Sequence, residues 1–168
     1  MSTFDKAYRR IPTKNGLIMF GLLTAYFLLM RALGFAEIYW LRSLNIIFVL
    51  WFVRNALVSY KATSGASYYD DFSDMFRIGV RTSFVGIGLF SVFMALYLDQ
   101  IDPAFMADLA EKESFGGEVT AVSAAFIVFV EGMVSALAAA FVLIQLFKSK
   151  TVEGPAKTEA KLKKEVRS

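Results

Sequence analysis

The sequence predicts an all-α polytopic membrane protein, with four transmembrane helices in an antiparallel bundle. Three observations lead there. Hydrophobic residues make up 57% of the 168, Phe alone numbering 17, and the mean hydropathy of +0.52 lies above that of soluble globular domains. Four apolar runs each reach about 20 residues, enough to cross roughly 30 Å of hydrocarbon as a helix. The segments that join them alternate between basic and acidic, as the positive-inside rule requires.

Residues 1–15 form a basic N-terminus carrying Lys6, Arg9, Arg10 and Lys14. The first span covers about residues 16–35 and is interrupted only by Arg31. Its basic leader and apolar core, Leu17 to Met30, have the form of a signal peptide, with Ala32-Leu33-Gly34 as a cleavage site. We expect it to stay in place, because the four spans together satisfy the charge rule. The second span, residues 38–60, has Arg42 and Arg54 toward its two ends.

In the linker that follows, Ser67 and Asp70 make a capping-box-like start. Phe72, Met75, Phe76 and Gly79 then recur at helical spacing. This predicts a short interfacial helix at the headgroups, an extension of the third span (residues 78–98) rather than a partner-binding element. In the next loop, Asp102 suits an N-cap and Pro103 the first helical position; Phe105, Met106 and Leu109 supply an apolar edge, and Gly116-Gly117 ends the helix. The fourth span, residues 120–147, holds a single charge, Glu131. The tail, residues 148–168, alternates Lys, Glu and Ala, and reads as disordered or nascent helix drawn to anionic lipid.

Lys and Arg collect in the N-terminus, in the linker (Lys61, Arg77) and in the tail, whereas the loop between spans three and four holds Asp99, Asp102, Asp108, Glu111, Glu113 and Glu118 against Lys112. Both termini are therefore predicted cytoplasmic, N-in and C-in, in a bacterial cytoplasmic (inner) membrane. Tyr39, Trp40 and Tyr97 would mark the outer interface and Tyr60 the inner one. Arg54, Arg77, Arg81, Lys148 and Lys150 are the expected headgroup contacts.

An ionisable group inside a span costs roughly 2.5–3.5 kcal/mol on insertion scales, so Glu131 must be offset by something. At about ten residues, or roughly 15 Å, into its span, it has Asn45, Ser91, Arg31 and Arg42 as candidate partners at similar depth. Such an intramembrane cluster would be either a satisfied polar network that fixes helix register or the start of a proton or cation path. Beside Glu131 runs a stripe of small residues (Gly132, Ser135, Ala136, Ala139 and Ala140) that lets helices approach closely. Gly79, Ser83, Gly86 and Gly88 of the third span are its natural counterpart.

Cys and His are both absent, which removes disulfides, thiolate and imidazole metal ligands, and Cys or His catalysis. There is no Gly-x-Ser-x-Gly and no phosphate-cradling Gly-Lys loop. Asp70, Asp71 and Asp74 lack the further ligands that a magnesium site needs. No aromatics are interleaved with the tail lysines, so nucleic-acid binding is not supported. The expectation is of no cofactor, no metal and no enzymatic activity.

Several segments resemble a family of small four-helix bacterial inner-membrane proteins, a domain of unknown function. The matching features are the basic N-terminus and Arg54 to Lys61 closing span two. Gly65 before the turn Tyr69 to Phe76, and Gly79-Val80-Arg81-Thr82-Ser83, come next. Ile101-Asp102-Pro103 and Gly132 to Ser135 ahead of a lysine-rich end complete the pattern. The resemblance covers about residues 14–150, leaves Glu131 outside its pattern and implies a fold, with no catalytic residue or ligand attached.

These readings favour a non-enzymatic accessory or scaffold protein whose partners are the lipid bilayer and other membrane protein subunits, or itself. The alternative is a small, oligomeric proton- or cation-conducting transporter using Glu131. Transporter spans are broken by Gly or Pro near the midplane, and every Pro falls outside the four predicted spans.

Overall fold

A computed structural model describes residues 3–35, 44–64, 71–112 and 120–165. Among them the chain is α-helical, with no strand: α1 (Thr3–Ala32), α2 (Leu44–Ser64), α3 (Phe72–Leu96), a π-helical turn (Tyr97–Ile101), α4 (Pro103–Lys112) and α5 (Ala121–Glu165). The four candidate spans are Tyr8–Ala32, Leu44–Thr63, Phe72–Ile101 and Ala121–Lys148. Length and apolar composition make this a multi-pass membrane protein.

The helices begin and end where local chemistry dictates. Gly34, at φ 74°, closes α1 in a Schellman motif, in which its N–H bonds to the Arg31 carbonyl at 3.1 Å and the Phe35 N–H to that of Met30 at 2.8 Å. The residues with the form of a cleavage site are thus a helix stop. At the start of α5, Thr120 and Ser123 cap each other. The Thr120 N–H reaches the Ser123 hydroxyl at 2.8 Å, and the Ser123 N–H reaches that of Thr120 at 3.2 Å.

Several boundaries differ from those expected. α1 starts well before residue 16 and takes in Pro12, whose missing N–H frees a carbonyl one turn back. Nearby, Thr13 and Asn15 donate to the Arg9 and Ile11 carbonyls, both at 2.9 Å. Arg54 lies mid-helix in α2, not at an end. By contrast, the segment from Phe72 extends the third span as expected, forming the first turns of α3. The tail expected to be disordered or nascent helix continues α5 without interruption as far as Glu165. Residues 36–43, 65–70 and 113–119 lie outside the described residues, and with them Tyr39, Trp40, Arg42, Ser67, Asp70 and the Gly116-Gly117 turn.

α3 is the central helix, packing against α1, α2 and α5; α2 also touches both α1 and α5. α1 and α5 stand at opposite corners of this rhombus and do not pack as a pair. α1 and α3 run parallel, so Phe27 meets Phe90 and Phe93, while α2 and α5 run the other way. The central position explains the composition of α3. Gly79, Thr82, Ser83, Gly86 and Ser91 are buried there among Met75, Ile78, Ile87, Phe90 and Met94. The Thr82 and Ser83 hydroxyls satisfy themselves on the Ile78 and Gly79 carbonyls, at 2.8 and 3.0 Å.

Candidate functional site: an outward-facing glutamate on a corner helix

Of the proposed partners of Glu131, the three among the described residues, Ser91, Asn45 and Arg31, are not gathered around it. The Ser91 hydroxyl donates to the Ala125 carbonyl at 2.6 Å, a bond between α3 and α5. That contact lies six residues, or about 9 Å, along α5 from Glu131. Asn45 is half-buried, and its Oδ1 is enclosed with no hydrogen-bond partner among the described residues. Arg31 is on α1, the opposite corner from α5, and belongs to a different cluster.

That cluster closes the acidic end of the bundle. The Arg31 Nε donates to Asp102 Oδ2 at 2.7 Å, and a second guanidinium nitrogen lies 2.7 Å from the same oxygen. Asp102 Oδ1 accepts the Phe105 N–H at 3.0 Å, capping α4. The guanidinium also sits 4.3 Å from the Phe105 ring centroid, and Phe27 is edge-on to Tyr97 at 5.1 Å. Burial by itself pushes the Asp102 carboxyl up; the Phe105 N–H and the Arg31 guanidinium outweigh it and hold the group below its ordinary value. The π-helical turn carries Asp102 to this position, its N–H bonding back to the Tyr97 carbonyl at 2.9 Å. Tyr97, expected at the interface, is buried in the aromatic cluster, and Tyr60 is fully buried beside Tyr8.

The small-residue stripe is used within the chain. A Cβ on Gly79 would come 2.9 Å from that of Ala140, and one on Gly132 would come 2.8 Å from Ile87 Cγ2. Ala136, Ala139 and Ala140 are buried, and Ser135 is half-buried. Gly86 faces α1 instead: a Cβ there would meet Met19, and the Gly16 carbonyl at 2.9 Å. Ser83 is buried in α3. Among the basic residues, Arg54, Arg77 and Arg81 are exposed and Lys148 is half-buried. Arg77 lies 3.6 Å from Asp74, and Arg81 lies over the Tyr8 ring at 4.3 Å. The side chain of Lys150 is outside those described.

Glu131 itself is exposed, on the side of α5 turned away from the bundle, and makes no hydrogen bond or ion pair among the described residues. Its depth follows from its neighbours. The ideal Cβ of Gly79 lies 2.9 Å from Ala140 Cβ and 3.4 Å from Val53 Cγ1, so these three share one level, flanked by the exposed Arg54 and Arg81. From Ala140 back to Glu131 is about 14 Å of helix, and from Glu131 to Ala121 about 15 Å. Along its own candidate span, Ala121–Lys148, Glu131 lies ten residues from one end and seventeen from the other, in the middle third. Ile127, Val130 and Val134 surround it, all exposed.

On the α3–α5 side, an open groove of about 620 Å³ is lined by Phe84, Gly88, Val92, Phe126 and Phe129, among others. Its wall includes Ser91, whose hydroxyl is committed to Ala125, so little there is left to orient a polar ligand. Comparison of the chain with protein-family models, with curated proteins and with solved structures found no match.

Proposed function

We propose that this chain is a non-enzymatic integral membrane accessory or scaffold protein that works by packing the outer face of α5 against a neighbouring membrane subunit. One observation carries the reading: a carboxyl group in the middle third of its span faces outward, with nothing among the described residues to satisfy it. Left in lipid, it keeps the penalty of an intramembrane charge or an unpaired polar group. A donor from a neighbouring helix at that depth removes the penalty on association, which makes Glu131 a docking group. The small-residue stripe no longer supports docking, because α2 and α3 already occupy it.

The basic end of the bundle, with Arg54, Arg81 and Lys148, faces the cytoplasm of a bacterial inner membrane, and the acidic α4 end faces outward. A proton- or cation-conducting role is the second reading. It draws on the same exposed Glu131, which would line a path only at a junction between subunits.

The test is native mass spectrometry of the protein extracted from membranes in mild detergent, with Glu131→Gln and Glu131→Lys variants beside it. A complex of fixed stoichiometry that survives Glu131→Gln and disappears with Glu131→Lys is the expected result. A wild-type monomer would overturn the packing role, and Glu131-dependent proton flux into liposomes would replace it with conduction.

A further inference from the structure

We infer that the groove between α3 and α5 holds one acyl chain of an anionic phospholipid whose phosphate is bound by Arg77 and Arg81. The inference is independent of Glu131 and names a lipid ligand in addition to any protein partner. It starts from the outer face of α3, where Arg77, Arg81, Phe84, Gly88 and Val92 recur at intervals of four, three, four and four, along one side of the helix. The first two are basic, and the other three line the groove. Charge and hydrocarbon surface are thus joined along one line, as they are in a phospholipid.

The basic part of that line suits a phosphate. Side chains on a helix lean toward its N-terminus, and the Arg81 guanidinium accordingly reaches the Tyr8 ring, 4.3 Å from its centroid. Tyr8 opens the first candidate span, so this contact holds the cation at the basic edge of the apolar region. Arg81 makes no salt bridge among the described residues, and Arg77 has only the 3.6 Å contact with Asp74, between side chains 64% and 38% exposed. Most of the guanidinium donors are left for a phosphate, which arginine binds in bidentate fashion.

The apolar part suits a hydrocarbon chain. From Arg81 to Val92 is about 16 Å of helix, close to the half of a roughly 30 Å core that one acyl chain spans. The Ser91 hydroxyl in the wall is committed to Ala125, so the occupant needs no polar group there. Gly88 keeps the floor open. A Cβ on it would meet only Phe129 Cε2, at 3.9 Å, whereas at Gly79, Gly86 and Gly132 an atom of a neighbouring helix would lie at 2.9 Å or closer. Packing within the chain therefore accounts for those three glycines and not for Gly88; a ligand lying along α3 accounts for it. A helix from another protein would need a carboxylate of its own opposite the two arginines, whereas a lipid brings charge and chain together.

Native mass spectrometry of the full-length protein in detergent, titrated with phosphatidylglycerol or phosphatidylcholine of equal chain length, tests the site. The wild type should retain one phosphatidylglycerol per chain severalfold better than phosphatidylcholine, and Arg77→Gln combined with Arg81→Gln should abolish that preference. Gly88→Leu, which alters no charge and enters open space, should lower phosphatidylglycerol retention severalfold, with thermal denaturation showing that it is folded. Arg54→Gln, on α2 at a similar level, should change nothing. Equal retention by the wild type, the double variant and Gly88→Leu would overturn the site. So would an equal loss with Arg54→Gln, the mark of diffuse attraction to basic charge. A complex with another protein that is lost with Gly88→Leu and indifferent to added lipid would also overturn it.

Discussion

Removing the Asp102 carboxylate should loosen the acidic end of the bundle by an amount that can be worked out contact by contact. The side chain caps α4 through the Phe105 N–H and holds Arg31. Loss of an N-cap costs about 1 kcal/mol. A charge-assisted hydrogen bond is worth about 1.5–3 kcal/mol, but the Arg31 and Asp102 side chains are 30% and 18% exposed, and solvent at the interface reduces that to about 1–2 kcal/mol. Asp102→Ala should therefore destabilise by about 2–3 kcal/mol, whereas Asp102→Asn, which keeps a capping oxygen, should cost only about 1–2 kcal/mol. A double-mutant cycle with Arg31→Gln should return a coupling of about 1 kcal/mol. The assay is SDS-driven unfolding in mixed micelles, followed by tryptophan fluorescence. Equal effects of Asp102→Ala and Asp102→Asn, with no coupling to Arg31, would show that the carboxylate is a solvated surface charge and refute the reasoning.

Two further expectations come from the same contacts and from the helix crossings. Because the folded Asp102 carboxyl sits below its ordinary value of about 4, its contribution is fully present above that value. It is lost as pH falls through the lower folded value, so the stability gap between wild type and Asp102→Asn should hold from neutral pH to about 4 and then narrow. A gap that narrows already near pH 6 would contradict this. Gly86→Ala would place a Cβ against Met19 and 2.9 Å from the Gly16 carbonyl, whereas at Gly21 nothing lies within 4 Å. Thermal denaturation in detergent should show Gly86→Ala destabilised by about 1–3 kcal/mol and Gly21→Ala unchanged or slightly more stable; comparable losses at both sites would rule out a close α1–α3 crossing.

The spans and the Asp102-Pro103 helix start were legible because they depend on local pattern: apolar length in one case, side-chain capping chemistry in the other. What escaped depends on which helices are neighbours. Arg31 and Asp102 are far apart in sequence, and their pairing needs α1 and α3 to run side by side with a π-helical turn between α3 and α4. Gly86 shares its spacing with Gly79, yet it serves α1 while Gly79 serves α5, because the central helix has contacts on several sides. Glu131 could be placed at mid-span from sequence, but its facing could not. α5 is apolar or small around nearly its whole circumference, so periodicity marks no inner side. Helix ends were misplaced where amphipathic segments continue a span, as Thr3–Asn15 does for α1.

The corner position of α5 also bears on how the molecule is made. α1, α2 and α3 touch one another pairwise, so all three contacts can form while the C-terminal third of the chain is still being synthesised. The last span then arrives at a finished surface, on which Gly79 and Ile87 already present the hollow and the ridge that receive Ala140 and Gly132. Until it docks, that surface is open to lipid or to any chaperone in the membrane. A ribosome that stalls before residue 121 would thus release a nearly complete three-helix core lacking both its final lid and the carboxylate that marks its outer face.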